Sequence, residues 1–209
     1  MQEKYLFSSA YFPPVHYFAL IPEAHRICIE KRENYIKQTW RNRCRILTAN
    51  GPASLTVPIL LGSFHKVPVK DIKIDYSKKW QQVHLRGLVS SYRLSPFFEY
   101  FYEIVENVIL GNHKYLLDLN MYSLDALIKI TGIRTSVSYT SEFEDINKEP
   151  YDFRYLITPK KNPLEQDFSF KEYPQVFCDR FEFIPGLSML DLIFNAGPDA
   201  QKYFSTKGE

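Results

Sequence analysis

Two consecutive prolines, Pro13 and Pro14, stand between the apolar run Tyr5 to Phe12 and a second apolar run, Val15 to Ile21. Proline fixes φ and has no amide hydrogen, so a strand stops there, yet the same residues suit the first turn of a helix. The order predicts a buried strand over Tyr5 to Tyr11, a short helix over Val15 to Ile21 and a second strand over His25 to Glu30. Such a unit makes a short parallel crossover. The first amides of its helix would face the end of the first strand, where anions are favoured.

Directly downstream stand Tyr35, Lys37, Gln38, Trp40, Arg41, Asn42, Arg43 and Arg45, with Tyr11 upstream of them. Guanidinium forks pair bidentately with phosphate or carboxylate, and an aromatic ring offers a stacking face to a base or sugar. The competing reading is a solvated turn before a hairpin. His16, at the expected helix start, titrates near neutral pH and is a candidate acid or base, or else a hydrogen-bonded structural histidine. The FPPVHYF string is similar to the strand-to-helix turn of nucleotidyltransferases, in which two histidines contact the nucleotide. Phe18 and Ala19 occupy the place of the second histidine.

Further along, Arg43 to Leu47, Asn50-Gly51 and Ser54 to Leu60 predict a hairpin. Val67 to Asp75 reads as a strand. Helical spacing then begins, with Trp80, Val83, His84, Leu88, Val89 and Tyr92 on one stripe. Ser95-Pro96 restarts a helix whose expected inner face is Phe97, Tyr100, Phe101, Ile104, Val105 and Val108, and Gly111-Asn112 closes it. A third helix runs over about Leu116 to Ile130. Thr135 to Tyr139 alternates as a strand, residues 141–174 are broken by prolines, and Gln175 to Phe183 returns to an extended pattern. Ser188 is the expected N-cap of a last helix, with Asp191 three residues on, and a second anion-binding helix start is one reading of that pair. His84 on its stripe is either a satisfied core histidine or a site-lining group.

These elements predict a single α/β domain over residues 1–209, a mixed sheet flanked by helices, which 209 residues suffice to build. The net charge of +2 argues against an extended nucleic-acid surface. Cys28, Cys44 and Cys178 form no metal-ligand spacing and read as reduced thiols. No apolar run approaches ~20 residues and no secretory pattern opens the chain, giving the expectation of a cytoplasmic protein without a membrane span. Phosphate-binding glycine loops, dinucleotide fingerprints and nucleophile elbows are absent, and the cofactor is left unspecified.

YFPPVHYFALI, ENYIKQTWRNRCRI, LTVPI, the W…H…Y…SPFFEYFY series and FIPGLSMLDLIFNAGP, in that order, resemble the WbqC-like family over nearly the whole chain. The resemblance implies a cytoplasmic bacterial protein associated with surface polysaccharide such as O-antigen. It also implies a transferase role, glycine transfer to a sugar included. Longer relatives carry a helix-rich segment where residues 141–174 stand, and the shorter segment implies a more open site or a different ligand. On this reading Lys37, Arg41 and Arg43 hold the phosphates of a nucleotide-linked or phosphorylated donor and Tyr35 or Trp40 stacks on a ring. Gln38, Asn42, Tyr11, His84 and Ser188 line the site, and His16 and Asp191 are the catalytic candidates. The competing class is a non-catalytic module that binds a ligand or nucleic acid.

Overall fold

The computed structural model describes residues 4–22, 24, 26–60, 66–146, 151–159 and 171–204. Strand β1 (Lys4–Ser8), helix α1 (Val15–Ala19) and strand β2 (Arg26–Glu30) form the expected crossover, and β1 and β2 pair in parallel from Lys4↔Arg26 to Ser8↔Glu30. His25, the expected first residue of the second strand, lies outside the described residues. Strand β7 (Ser136–Tyr139) joins β2, also in parallel, so the sheet order is β1-β2-β7. Its central residues Leu6, Phe7, Ile27 and Ile29 are fully buried, as strands covered on both faces require.

The antiparallel pairings stand apart from this sheet. β3 (Arg43–Thr48) and β4 (Gly51–Thr56) make the expected hairpin, with Thr48↔Gly51 closing it and Gly51 at φ 96°, but the turn is residues 49–50 and the second strand, expected over Ser54 to Leu60, starts at Gly51 and stops at Thr56. β5 (Ile59–Leu60) and β6 (Lys73–Ile74) form a two-residue ladder. The chain is thus α/β, its strands divided among small sheets. The strand expected over Val67 to Asp75 shrinks to β6, because the residues after Pro68 turn into a 3-10 helix, Val69–Asp71.

Helices α2 (Trp80–Tyr92), α3 (Phe98–Leu110), α4 (Leu116–Thr131) and α5 (Met189–Ala196) supply the rest of the core. Two expected faces are rotated. On α2 the buried stripe is Trp80, His84, Leu88, Ser91 and Tyr92, while Val83 and Val89 are exposed; on α3 it is Phe98, Val105, Val108 and Ile109, while Tyr100 is 75% exposed. Apolar residues on more than one side of each helix leave the face to be chosen by the neighbours it meets. Gly132, at φ 68°, ends α4 in the left-handed conformation that glycine adopts without steric cost.

The extended run expected over Gln175 to Phe183 is a loop with turns over residues 176–180, and Phe177 sits at φ 60°. The Gln175 side chain takes the part of a strand neighbour: its Nε2 donates to the Ile184 carbonyl and its Oε1 accepts from the Ile184 amide, each at 2.9 Å.

Candidate functional site

Two neighbouring segments close the Pro-Pro turn. Phe12 adopts φ 39°, a left-handed conformation that a bulky residue enters only when held. Its amide donates to Ser123 Oγ at 3.3 Å and its carbonyl accepts from Ser188 Oγ at 2.8 Å. The amide of Val15, the first residue of α1, donates to the Leu187 carbonyl. At α5 the amides of Met189, Leu190 and Asp191 donate to Pro13 O, Ser188 Oγ and Ser188 O. Both helix starts expected to receive anions therefore spend their donors inside the protein, and Ser188 is an N-cap that also secures Phe12.

The sequence-predicted residues separate into three places. Tyr11 is fully buried and its hydroxyl lies 3.0 Å from His84 Nδ1, while His84 Nε2 lies 3.2 Å from the Thr56 carbonyl. Burial lowers the His84 pKa to about 4, so the ring is neutral and is a core histidine between two polar partners. His16 is 1% exposed within a wholly buried α1, and burial lowers its pKa to about 3. Burial leaves the imidazole neutral and away from open surface, as a core histidine is. Asp191, 0% exposed, accepts from Tyr173 Oη at 2.8 Å, and Ser188 is 1% exposed. Burial raises the Asp191 pKa to about 6, with the Tyr173 and Tyr92 hydroxyls holding it back in part.

The third place is the carboxyl end of the parallel sheet, the side on which open α/β sheets bind ligands. Here the 3-10 turn Trp40–Asn42 carries Arg41 inward. Arg41 Nε and Nη2 donate to the two oxygens of Glu33 at 3.0 and 2.6 Å, and Nη2 also donates to Ser8 Oγ at 2.6 Å. Ser8, the last residue of β1, lies 3.1 Å from both Glu33 Oε2 and the Arg154 carbonyl oxygen. Asn120 of α4 fixes the turn from behind, its Nδ2 donating to the Arg41 carbonyl at 2.8 Å and to Ser9 Oγ at 3.1 Å. Arg41 is thus a paired guanidinium. Trp40 is buried, Asn42 Nδ2 donates to Val57 O, and Lys37 and Gln38 are exposed. Tyr35 and Arg43 are half-buried, and Arg41 and Arg43 act against the rise that burial gives the Tyr35 pKa.

A second buried ion pair stands beside the first. Glu30, the last residue of β2, is 0% exposed and accepts from Thr140 Oγ1 at 2.8 Å, from the Arg32 amide at 2.8 Å and from Arg154 Nη1 at 3.5 Å. Arg154 also forks onto Asp152, Nε to Oδ1 at 2.9 Å and Nη2 to Oδ2 at 2.6 Å. The half-buried Tyr155 senses both clusters: its pKa is raised first by burial and next by Glu33, with Arg154 and Arg41 opposing. None of Glu30, Glu33, Asp152, Arg154 and Tyr155 stands out in the sequence. Asp152, Arg154 and Tyr155 lie in the proline-broken segment, and Glu30 and Glu33 lie in an ordinary charged run whose one signal is position at or after a predicted strand end.

Residues 151–157 lie across these strand ends. Leu6 donates to Tyr151 O and Phe153 donates to Leu6 O, at 2.9 and 2.8 Å, which adds a short parallel bridge to the outer edge of β1. Phe153, Arg154 and Ile157 then close, with Ser8, Tyr17 and Arg41, a cavity of about 10 Å³, room for roughly one water. The described part of the 141–174 segment therefore covers the strand ends, where a more open site is expected; residues 147–150 and 160–170 lie outside the described residues. Among the described residues no helix is long and apolar enough to cross a membrane, and no group of three His, Cys, Asp or Glu could hold a metal ion.

No solved structure matches the chain. It is similar to the uncharacterized protein Rv1507c of Mycobacterium tuberculosis, 26% identical, with 97% of each chain covered. A sequence model described as the WbqC-like protein family matches residues 8–161, a span that opens on Ser8 and closes just beyond Ile157. That span holds both buried ion pairs and the strap over them, and on its extent the chain belongs to the WbqC-like protein family.

Proposed function

We propose that the protein is a transferase of bacterial surface polysaccharide biosynthesis, of the O-antigen type, acting on a nucleotide-linked or otherwise phosphorylated donor at the carboxyl ends of β1 and β2. Aminoacyl transfer, of glycine to a sugar, falls within this reading. The observation that carries it is the convergence of two buried arginine–carboxylate clusters, Arg41 with Glu33 and Arg154 with Glu30 and Asp152, on those strand ends. Buried ion pairs rarely add stability over apolar packing, so two of them at a ligand-binding edge point to function. Half-buried Arg43 and exposed Lys37 would meet the donor phosphates at the mouth, and Tyr35 and Tyr155 would flank its ring.

A second reading, a non-catalytic binding module, is favoured by the pairing of Arg41 and the cavity of about 10 Å³. One experiment separates the two. Thermal stability is measured against nucleotide sugars, nucleoside phosphates and short oligonucleotides, for the wild type and a Lys37→Ala, Arg43→Ala variant. Ligand at about 100 times its dissociation constant adds ~2.7 kcal/mol. A melting shift with one nucleotide-linked compound, lost in the variant and accompanied by release of free nucleotide when acceptor sugar is added, supports the transferase. A shift without product supports the module, and a shift with oligonucleotides alone sinks the donor site.

A further inference from the structure

The parallel sheet has two unlike edges. Residues 151–153 cover β1, whereas no backbone group among the described residues meets the outer edge of β7. The Thr140 amide reaches the Ile29 carbonyl at 3.1 Å. By strand alternation, the N–H and C=O groups of Val137 and Tyr139 therefore point out of the sheet. Val137 is 38% and Tyr139 45% exposed. Beside them lies a groove of about 410 Å³ lined by Met121, Tyr122, Leu124, Asp125, Val137 and Tyr139, and Tyr122 at its rim is 61% exposed. An open edge with aromatic and β-branched side chains is a template for another strand.

We propose that this edge is completed by a second copy of the chain, β7 pairing antiparallel with β7 about a two-fold axis at Ser138. Val137 then stands opposite the partner's Tyr139, and the outward N–H and C=O groups of both meet in hydrogen-bonded pairs on either side of the axis. The pair is β-branched against aromatic, a favourable cross-strand combination, and it lies on the groove side of the sheet. Carried past the ends of β7, the same register brings Arg134 toward the partner's Glu142, which lies in the bend after the strand, twice by symmetry. Both residues are exposed, and neither forms an ion pair among the described residues. Charge selects this register: an axis at Val137 sets Arg134 against Thr140, and one at Tyr139 sets it against Glu144, already paired with Lys4. The assembled dimer joins two three-stranded sheets into one continuous sheet.

The test is sedimentation velocity over a concentration series, with Cys178→Ser as background because that thiol is exposed. A reversible dimer is expected. Arg134→Glu turns two attractive pairs repulsive and raises the dimer dissociation constant about tenfold; adding Glu142→Arg restores it. Ser138→Cys should cross-link under mild oxidation, since residues on the axis form a non-hydrogen-bonded pair with Cα atoms ~4.5 Å apart. Ser136→Cys, opposite the partner's Thr140, should not. A chain that sediments as a monomer at every concentration overturns the proposal, as does a dimer indifferent to the charge exchange. A monomer that instead captures an unrelated extended peptide at this edge also overturns self-pairing.

Discussion

Glu33 and Asp191 are both 0% exposed carboxylates, and they are compensated in opposite ways. Glu33 meets the two-pronged guanidinium of Arg41 and the Ser8 hydroxyl. Asp191 meets no cation among the described residues; the hydroxyls of Tyr173, at 2.8 Å, and Tyr92 and the side chain of Gln175 face it instead. A buried charge must be paired or give up its charge. Glu33 is paired; Asp191 takes the second route, its pKa raised to about 6 by burial. The site at the strand ends is therefore charged yet locally neutral, while the C-terminal helix carries a group that takes up a proton just below neutral pH.

The strongest way to break this contrast is Arg41→Ala, which makes Glu33 a carboxylate without a cation. Leaving one member of a buried pair alone costs ~3–5 kcal/mol, to be read by urea denaturation. Replacing both partners with apolar residues, Arg41→Met with Glu33→Leu, should recover most of that loss. If the double variant is as unstable as the single one, Arg41 and Glu33 do not act as a compensating pair.

Asp191→Asn sharpens the contrast from the other side. The folded pKa of about 6 lies above the ordinary 3.8, so the stabilising form is the protonated one. Its contribution is complete below pH ~4 and is lost as pH rises through 6, a difference of ~3 kcal/mol at most. The variant should accordingly gain on the wild type at pH 7.5, and the gain should close toward pH 4. His16 and His84, lowered to about 3 and 4, act in the opposite sense in both proteins and cancel from the comparison. A variant less stable at pH 7.5 would show that the ionised carboxylate is satisfied.

Tyr173→Phe should have the smallest effect. It removes the 2.8 Å donor to Asp191 and costs ~1–3 kcal/mol, with the Asp191 titration moving further up. An unchanged titration followed by carboxyl NMR would mean that Tyr173 contributes packing alone.

The crossover was legible because Pro13-Pro14 interrupts two apolar runs, and the last helix because Ser188 precedes one. The α2 and α3 faces were less so: Phe97, Tyr100 and Ile104 offer an apolar face as good as the one buried, and the choice rests on contacts far along the chain. Arg41 was found by its cationic neighbourhood, but its partner Glu33 was not, since pairing across eight residues of irregular chain leaves no period. Arg154 reaches Glu30 across 124 positions, a relation that no local pattern encodes. The Gln175 amide that stands in for a strand neighbour shows the converse, an extended apolar composition realised without a ladder.

The bonds between residues 12–15 and 187–189 have a consequence for the order in which the molecule is made. At ~5–20 residues per second on a ribosome, Leu187 to Met189 are joined to the nascent chain ~10–40 s after the Pro-Pro turn. Until then Val15 N–H, Pro13 O and Phe12 O lack the partners that hold the left-handed Phe12, so α1 can collapse early but cannot lock. The clasp is a late-closing contact of long sequence separation, the kind that slows folding. A nascent chain halted before Leu187 should therefore keep its first twenty residues open to proteolysis, and completion of α5 should be the step that seals them.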